Sequence, residues 1–113
     1  MKPSSAKNKG RLLQQWVRSL LLELADHLEP DDISSRSMGA GGEDVMFSPA
    51  ARRVYPVSIE CKNVERLNVW DAYQQAAANA GEWMPVLVIK KNRKAPLAVV
   101  DAKSFFTLLR KTT

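Results

Sequence analysis

A chain of 113 residues is long enough for one domain and too short for two. Hydrophobic residues make up 45% of it and the formal charge is +5, so a packed core is expected and an acidic polyanion is the favoured partner. One cysteine excludes an internal disulfide; with a single histidine it also excludes a Cys/His zinc site within one chain, and no apolar run approaches the roughly 20 residues that span a bilayer.

Residues 1–10 are polar and basic, with no apolar segment after the lysines. They read as a flexible arm able to touch phosphates, not as a secretory signal. Residues 11–113 form the expected domain. Leu13, Trp16, Val17, Leu20, Leu21, Leu24 and Leu28 recur at helical spacing, which predicts an amphipathic helix over 11–28 closed by Pro30. Trp16 falls with the core on that pattern. His27 near the helix end reads as a surface residue facing the negative terminus, without chemistry.

A short polar strand over 33–38 comes next, then Gly39-Ala40-Gly41-Gly42, a tight loop. Strands follow over 43–47 and 53–61, separated by a turn at 48–51, with Pro56 marking an edge or bulge. Residues 68–80 read as a helix with Asn68 as N-cap and Gly81 as its stop, and Trp70 and Tyr73 can pack on the sheet. Two buried strands, 86–89 and 97–100, flank the basic turn Lys90-Lys91-Asn92-Arg93-Lys94, and a helix over 101–109 ends the order. This order predicts an α/β fold with one mixed central sheet of about five strands, flanked by helices.

Glu60-Cys61-Lys62 ends the apolar run Val57-Ser58-Ile59. Side chains alternate along a strand, so Ser58, Glu60 and Lys62 share one face while Val57, Ile59 and Cys61 share the other. Asp44 lies on the neighbouring predicted strand. Two carboxylates and a main-chain carbonyl make a hard-oxygen set suited to Mg²⁺ or Mn²⁺. Such an ion activates water and offsets charge developing on a phosphate. Lys62 could orient the water, stabilise the transition state or act as general base. Glu43 is an alternative to Asp44, and alternation allows only one of the two to face Glu60. A bare Glu-x-Lys triplet is ordinarily an exposed ion-pair face. The apolar strand before it, the preceding acid and glycine turn, and the Gln-bearing helix after it set this one apart.

These residues resemble the PD-(D/E)XK nuclease superfamily, and more closely its phage and archaeal-type Holliday junction resolvases. The resemblance runs from Lys9 to about Leu109. Lys9-Gly10-Arg11 is similar to the family's opening to its first helix, residues 37–45 to its glycine loop and metal aspartate, and Ile59-Glu60-Cys61-Lys62 to its Glu-x-Lys motif. The resemblance implies a restriction-endonuclease-like core. It implies that Asp44 and Glu60 are metal ligands, that Cys61 offers its main-chain carbonyl with its thiol turned to the core, and that Lys62 is the catalytic lysine. Gln75, or second to it Gln74, matches a glutamine on the helix after the motif. Gln14 stands where archaeal relatives carry a glutamate, which bears on a second metal site. The implied activity is Mg²⁺- or Mn²⁺-dependent endonucleolytic cleavage of DNA, at four-way or other branched junctions, by a homodimer in the cytoplasm of a bacterial or phage-infected cell. No membrane or small-molecule cofactor is implied.

Expected DNA contacts are Lys9, Arg11, Gln14, Ser37, Arg53, Lys90, Lys91 and Arg93, joined by Lys7, Arg52 and Lys94 as a phosphate-tracking surface, with Ser35 and the glycine loop as further donors. Two other readings remain open: a nucleic-acid-binding subunit of a replication or recombination complex with weak or no catalysis, which Gln14 favours, and a nuclease acting on duplex or nicked DNA.

Overall fold

Strand β3 (Val57–Asn63) is the axis of the computed structural model, which describes residues 3–36 and 42–111. Ser58, Ile59, Glu60, Cys61 and Asn63 are all buried, so both faces of β3 are covered. β4 (Met84–Lys90) runs parallel to it, with Glu60 opposite Leu87 and Lys62 opposite Ile89. A parallel pair needs a long crossover, and helix α3 (Val69–Ala80) provides it. β5 (Leu97–Val99) pairs antiparallel with β4 and completes a three-stranded sheet in the order β3-β4-β5.

Helix α1 (Pro3–Leu24) covers one face of this sheet. Its Leu13 and Val17 join Ile59, Cys61 and Val88 in the core. Alternation sends Ser58, Glu60 and Lys62 to the opposite face, toward α3. There Ala72, Ala76 and Ala80 form a buried stripe whose small side chains let the helix lie close to the strands. Asn68 caps α3 by accepting the Asp71 amide at 3.1 Å, and Gly81 follows at φ +59°, a backbone state that suits glycine. Leu13, Ile33, Val45 and Leu87 are the largest fully buried side chains, and each contributes roughly 1.5–3 kcal/mol by leaving water.

β1 (Ile33–Ser35) and β2 (Val45–Phe47) form a separate antiparallel pair. The fold is α/β as expected, but its strands make two sheets, not one of five. The physical reason is visible at the seam. The Asp44 amide donates to the Ile59 carbonyl at 2.9 Å, and no strand ladder joins β2 to β3. Past Phe47 the chain leaves the strand direction, because Ser48 and Pro49 start a helix.

That helix, α2 (Pro49–Val54), replaces the expected turn at 48–51. Ser48 accepts the Ala51 amide at 3.1 Å as N-cap, and Pro49 occupies the first helical turn. Arg53 and Val54 therefore belong to α2, and β3 begins only after Pro56. Residues 3–10, expected as a free arm, are the first turns of α1. At its other end α1 stops at Leu24, not Leu28, and a turn closed by Leu28 N–H to Ala25 C=O at 2.9 Å returns Leu28 to the core. Trp16 is 46% exposed and Trp70 84% exposed, so neither is a core residue. Helix α4 (Ala102–Lys111) has no buried residue. No helix among the described residues is long and apolar enough to cross a membrane.

Candidate active site

Asp44 immediately precedes β2 and is fixed by its own backbone. Its carbonyl accepts the Arg36 amide at 2.8 Å, and its amide donates to Ile59. Its side chain then reaches two residues further along the same strand, where Oδ2 accepts the Cys61 amide at 2.7 Å. Asp44 thus grips β3 on both sides of Glu60. Glu43 goes elsewhere, for it forms a two-pronged ion pair with Arg52 at 2.7 and 3.3 Å. Of the two candidate acids, Asp44 is the one at the β3 motif.

Glu60 is buried on the α3 side of the strand. Asn79 Nδ2 on α3 approaches its Oε2 at 3.5 Å. Burial raises the Glu60 pKa, and the Asp44 charge raises it further, against opposing effects from Asn79 and Lys62. Burial likewise raises the Asp44 carboxyl, opposed by the Cys61 amide and by the Lys62 and Arg36 charges. The Cys61 amide bond seats the Asp44 carboxylate on the strand beside residue 60, and the Asp44 and Lys62 charges both act on Glu60. Lys62 is half-buried and lies on the Glu60 face of β3.

Cys61 has its side chain in the hydrophobic core, and burial, reinforced by the Asp44 and Glu60 charges, pushes its thiol pKa far up. It stays a neutral thiol and offers no thiolate ligand. Among the described residues no group of three or more His, Cys, Asp or Glu is placed to hold a metal ion. The available donors are two carboxylates and main-chain carbonyls. That set fits Mg²⁺ or Mn²⁺, which take few protein ligands and retain water, and does not fit zinc.

Gln75 and Gln74 are both exposed on α3. The α3 side chain that approaches Glu60 is Asn79, one helical turn beyond Gln75 on the same side of the helix. Residues missed in the sequence are Asn79, Arg36 and the true role of Arg52. The i, i+4 relation to Gln75 could have found Asn79.

Gln14 is buried on the inward side of α1, away from any surface that would track phosphates. Arg52 is half-buried and fully engaged: besides Glu43 it donates to the Val57 carbonyl at 2.6 Å and sits over the Phe47 and Trp83 rings at 4.8 and 4.9 Å. Trp83 is therefore a structural stacking partner. Arg53, Lys91, Arg93 and Lys94 are exposed, and Arg93 has φ +65° at the tip of its turn. Arg11 is exposed and donates to Asn8 at 2.6 Å. Lys9 pairs with Glu65 at 3.8 Å, and Lys90 donates to the Lys91 carbonyl at 3.1 Å. Ser37 and the glycines at 39 and 41 lie outside the described residues. Lys62 and Asn63 end β3 beside Ile89 and Lys90, so the lysine and the basic turn lie at the carboxyl ends of the parallel pair, while Asp44 and Glu60 meet at mid-strand. Open α/β sheets ordinarily bind ligands at that edge.

No protein-family model matches the chain, and no curated protein or solved structure matches it either.

Proposed function

We propose that the chain is a PD-(D/E)XK-type, Mg²⁺- or Mn²⁺-dependent endodeoxyribonuclease that hydrolyses phosphodiesters at branched DNA, including four-way junctions. One observation carries this reading: the Asp44 carboxylate is hydrogen-bonded to the Cys61 amide, next to buried Glu60 and on the strand that bears Lys62. When bound, the divalent ion supplies charge neutralisation and water activation. The chain's residues do the rest. Asp44 and Glu60 present oxygens from two segments. Asn79 steadies Glu60. Lys62 adds positive charge where the phosphorane builds up negative charge. Lys90, Lys91, Arg93 and Arg53 offer phosphate contacts that set register and carry no sequence preference. A four-way junction is two-fold symmetric, so paired incision calls for a homodimer.

The test is incubation of labelled duplex and four-way junction with protein and Mg²⁺ or Mn²⁺. Wild type should cut the junction. Lys62→Ala should lose about 10²–10⁴-fold, the range for a positioned proton-transfer or charge-stabilising group. Equal inertness of wild type and variant on every substrate overturns the enzyme. Indiscriminate cutting of duplex and nicked DNA removes the branch specificity and keeps the nuclease.

A second reading draws on a specific observation. The first-helix position that could add a third carboxylate is a buried glutamine, Gln14. A DNA-binding subunit without catalysis would bind junctions in chelator as tightly as in Mg²⁺, and would cut none.

A further inference from the structure

At the carboxyl end of β3, on the α1 side of the sheet, lies a cleft of ≈ 360 Å³, of whose lining the proposed chemistry uses Lys90 alone. Lys9, Leu12, Trp16, Asn63, Lys90 and Asn92 line it. Asn63 is only 9% exposed. Its Nδ2 donates to the Lys9 carbonyl at 3.0 Å, but its Oδ1 is buried with no hydrogen-bond partner among the described residues. Lys9 Nζ is buried in the same condition. Its ion pair to Glu65 Oε2, at 3.8 Å, is too long for a hydrogen bond. A buried acceptor and a buried ammonium left unsatisfied cost stability, and such groups are normally satisfied by a partner.

The rest of the cleft specifies that partner. Trp16 offers a large aromatic surface, 46% exposed, with Leu12 also exposed beside it on α1. Lys90 brings a second cation to the rim. Glu65 Oε2 accepts the Asn92 amide at 2.7 Å as well as facing Lys9, so it holds both rim residues in place. A matching ligand has a flat, partly apolar ring for Trp16, an N–H donor for Asn63 Oδ1, and an anionic group for Lys9 and Lys90. An unpaired nucleotide has all three. The cleft lies within the size range of small-ligand pockets.

We infer that this cleft binds one unpaired nucleotide, its base against Trp16 and Asn63 and its phosphate against Lys9 and Lys90. The inference extends the nuclease reading by placing an unpaired base of a branched substrate on the face of the sheet opposite Glu60. The same chemistry is met by a free nucleoside monophosphate, and the test separates the two sources.

The experiment measures binding in chelator, where cutting does not intervene. Fluorescence anisotropy compares a labelled ten-nucleotide oligothymidine with a fully paired duplex for wild type, Trp16→Ala and Lys9→Gln. Thymidine monophosphate is titrated in parallel, with tryptophan fluorescence as readout. Trp16→Ala should weaken single-strand binding about 10-fold, the effect of losing one stacked base, and leave duplex binding within a factor of two. Lys9→Gln should weaken the single strand and the monophosphate together. Quenching of wild type by the monophosphate, lost in Lys9→Gln, with no selective loss on the oligonucleotide in Trp16→Ala, assigns the cleft to free nucleotide. Single-strand binding unchanged by Trp16→Ala, or lost equally on duplex, together with no quenching by the monophosphate, overturns the proposal. Circular dichroism of both variants checks folding, and Trp16→Phe, which keeps a stacking ring, should restore most of the binding. Intact selectivity without any cutting in Mg²⁺ would sink the nuclease and leave the cleft. Cutting without selectivity would do the reverse.

Discussion

Arg52 shows how much one side chain can organise. Its guanidinium pairs with both oxygens of Glu43, donates to the Val57 carbonyl and is flanked by the Phe47 and Trp83 rings. It therefore ties the segment before β2, the start of β3 and the approach to β4 to one planar group. The pair is mostly shielded from water, so removing the cation strands a carboxylate and a carbonyl. Arg52→Met should cost about 2–3 kcal/mol, as expected for hydrogen bonds to charged groups. Urea denaturation measures it. Arg52→Lys should recover less than half, because an ammonium has neither the fork nor the flat face. This network also decides between Glu43 and Asp44. The alternation of a strand was enough to say that only one acid could serve the motif, but not to name the partner that claims the other. The same limit applies to Gln75 and Asn79: helical period marks their shared side, whereas the depth of α3 over the strand decides which amide arrives. Trp16 fits the apolar period of α1, yet at 100° per residue it lies at the margin of the stripe centred on Leu13 and Val17 and stays half in solvent.

Among the elements, α2 is the one least legible in the sequence. Six residues are too few to show a period, and Ser48-Pro49 signals a turn as readily as a helix start. What decides for the helix is a second use of Ser48, whose hydroxyl donates to Asp32 Oδ1 at 2.6 Å while accepting the Ala51 amide. Ser48→Ala should cost about 1–2 kcal/mol, a capping loss with a hydrogen bond added, measured by thermal unfolding. The same hydroxyl, and after it the Glu29 amide, hold the Asp32 carboxyl below its ordinary pKa. In the variant, NMR titration should find that carboxyl moved up. Helix α3 and strands β4 and β5 were readable because Asn68, Gly81 and the continuous apolar runs are strong local signals. The division into two sheets was not, since β2 meets β3 only through the bonds of Asp44 and forms no ladder with it, a long-range matter that no local signal marks.

For the molecule as a whole, buried Glu60 and half-buried Asp44 set a pH dependence. Their folded pKa values are raised, chiefly by burial. The unfolded chain releases these protons more easily, so the stabilisation is fully present below the unfolded value of about 4 and is lost as pH rises through the raised folded values. In chelator, the melting temperature of wild type relative to Glu60→Gln should rise as pH falls from neutrality toward the carboxylate range. Millimolar Mg²⁺ should flatten the difference at neutral pH by compensating the paired charges. A melting curve insensitive to both variables would show that the acids do not act together. The charge of +5 and the exposed basic turn were plain in the sequence; the pairing of acids with solvent exclusion was not, because burial is a property of the assembled sheet.

Residue 44 is at once a weld and a tool. Its amide and its carboxylate hold alternate residues of β3, so the same few atoms fasten the small sheet to the large one and seat a carboxylate next to residue 60. Any breathing motion that peels the β1–β2 pair from the strand must also disarm the candidate site. Deuterium uptake at the Asp44 and Cys61 amides should then proceed at one common rate.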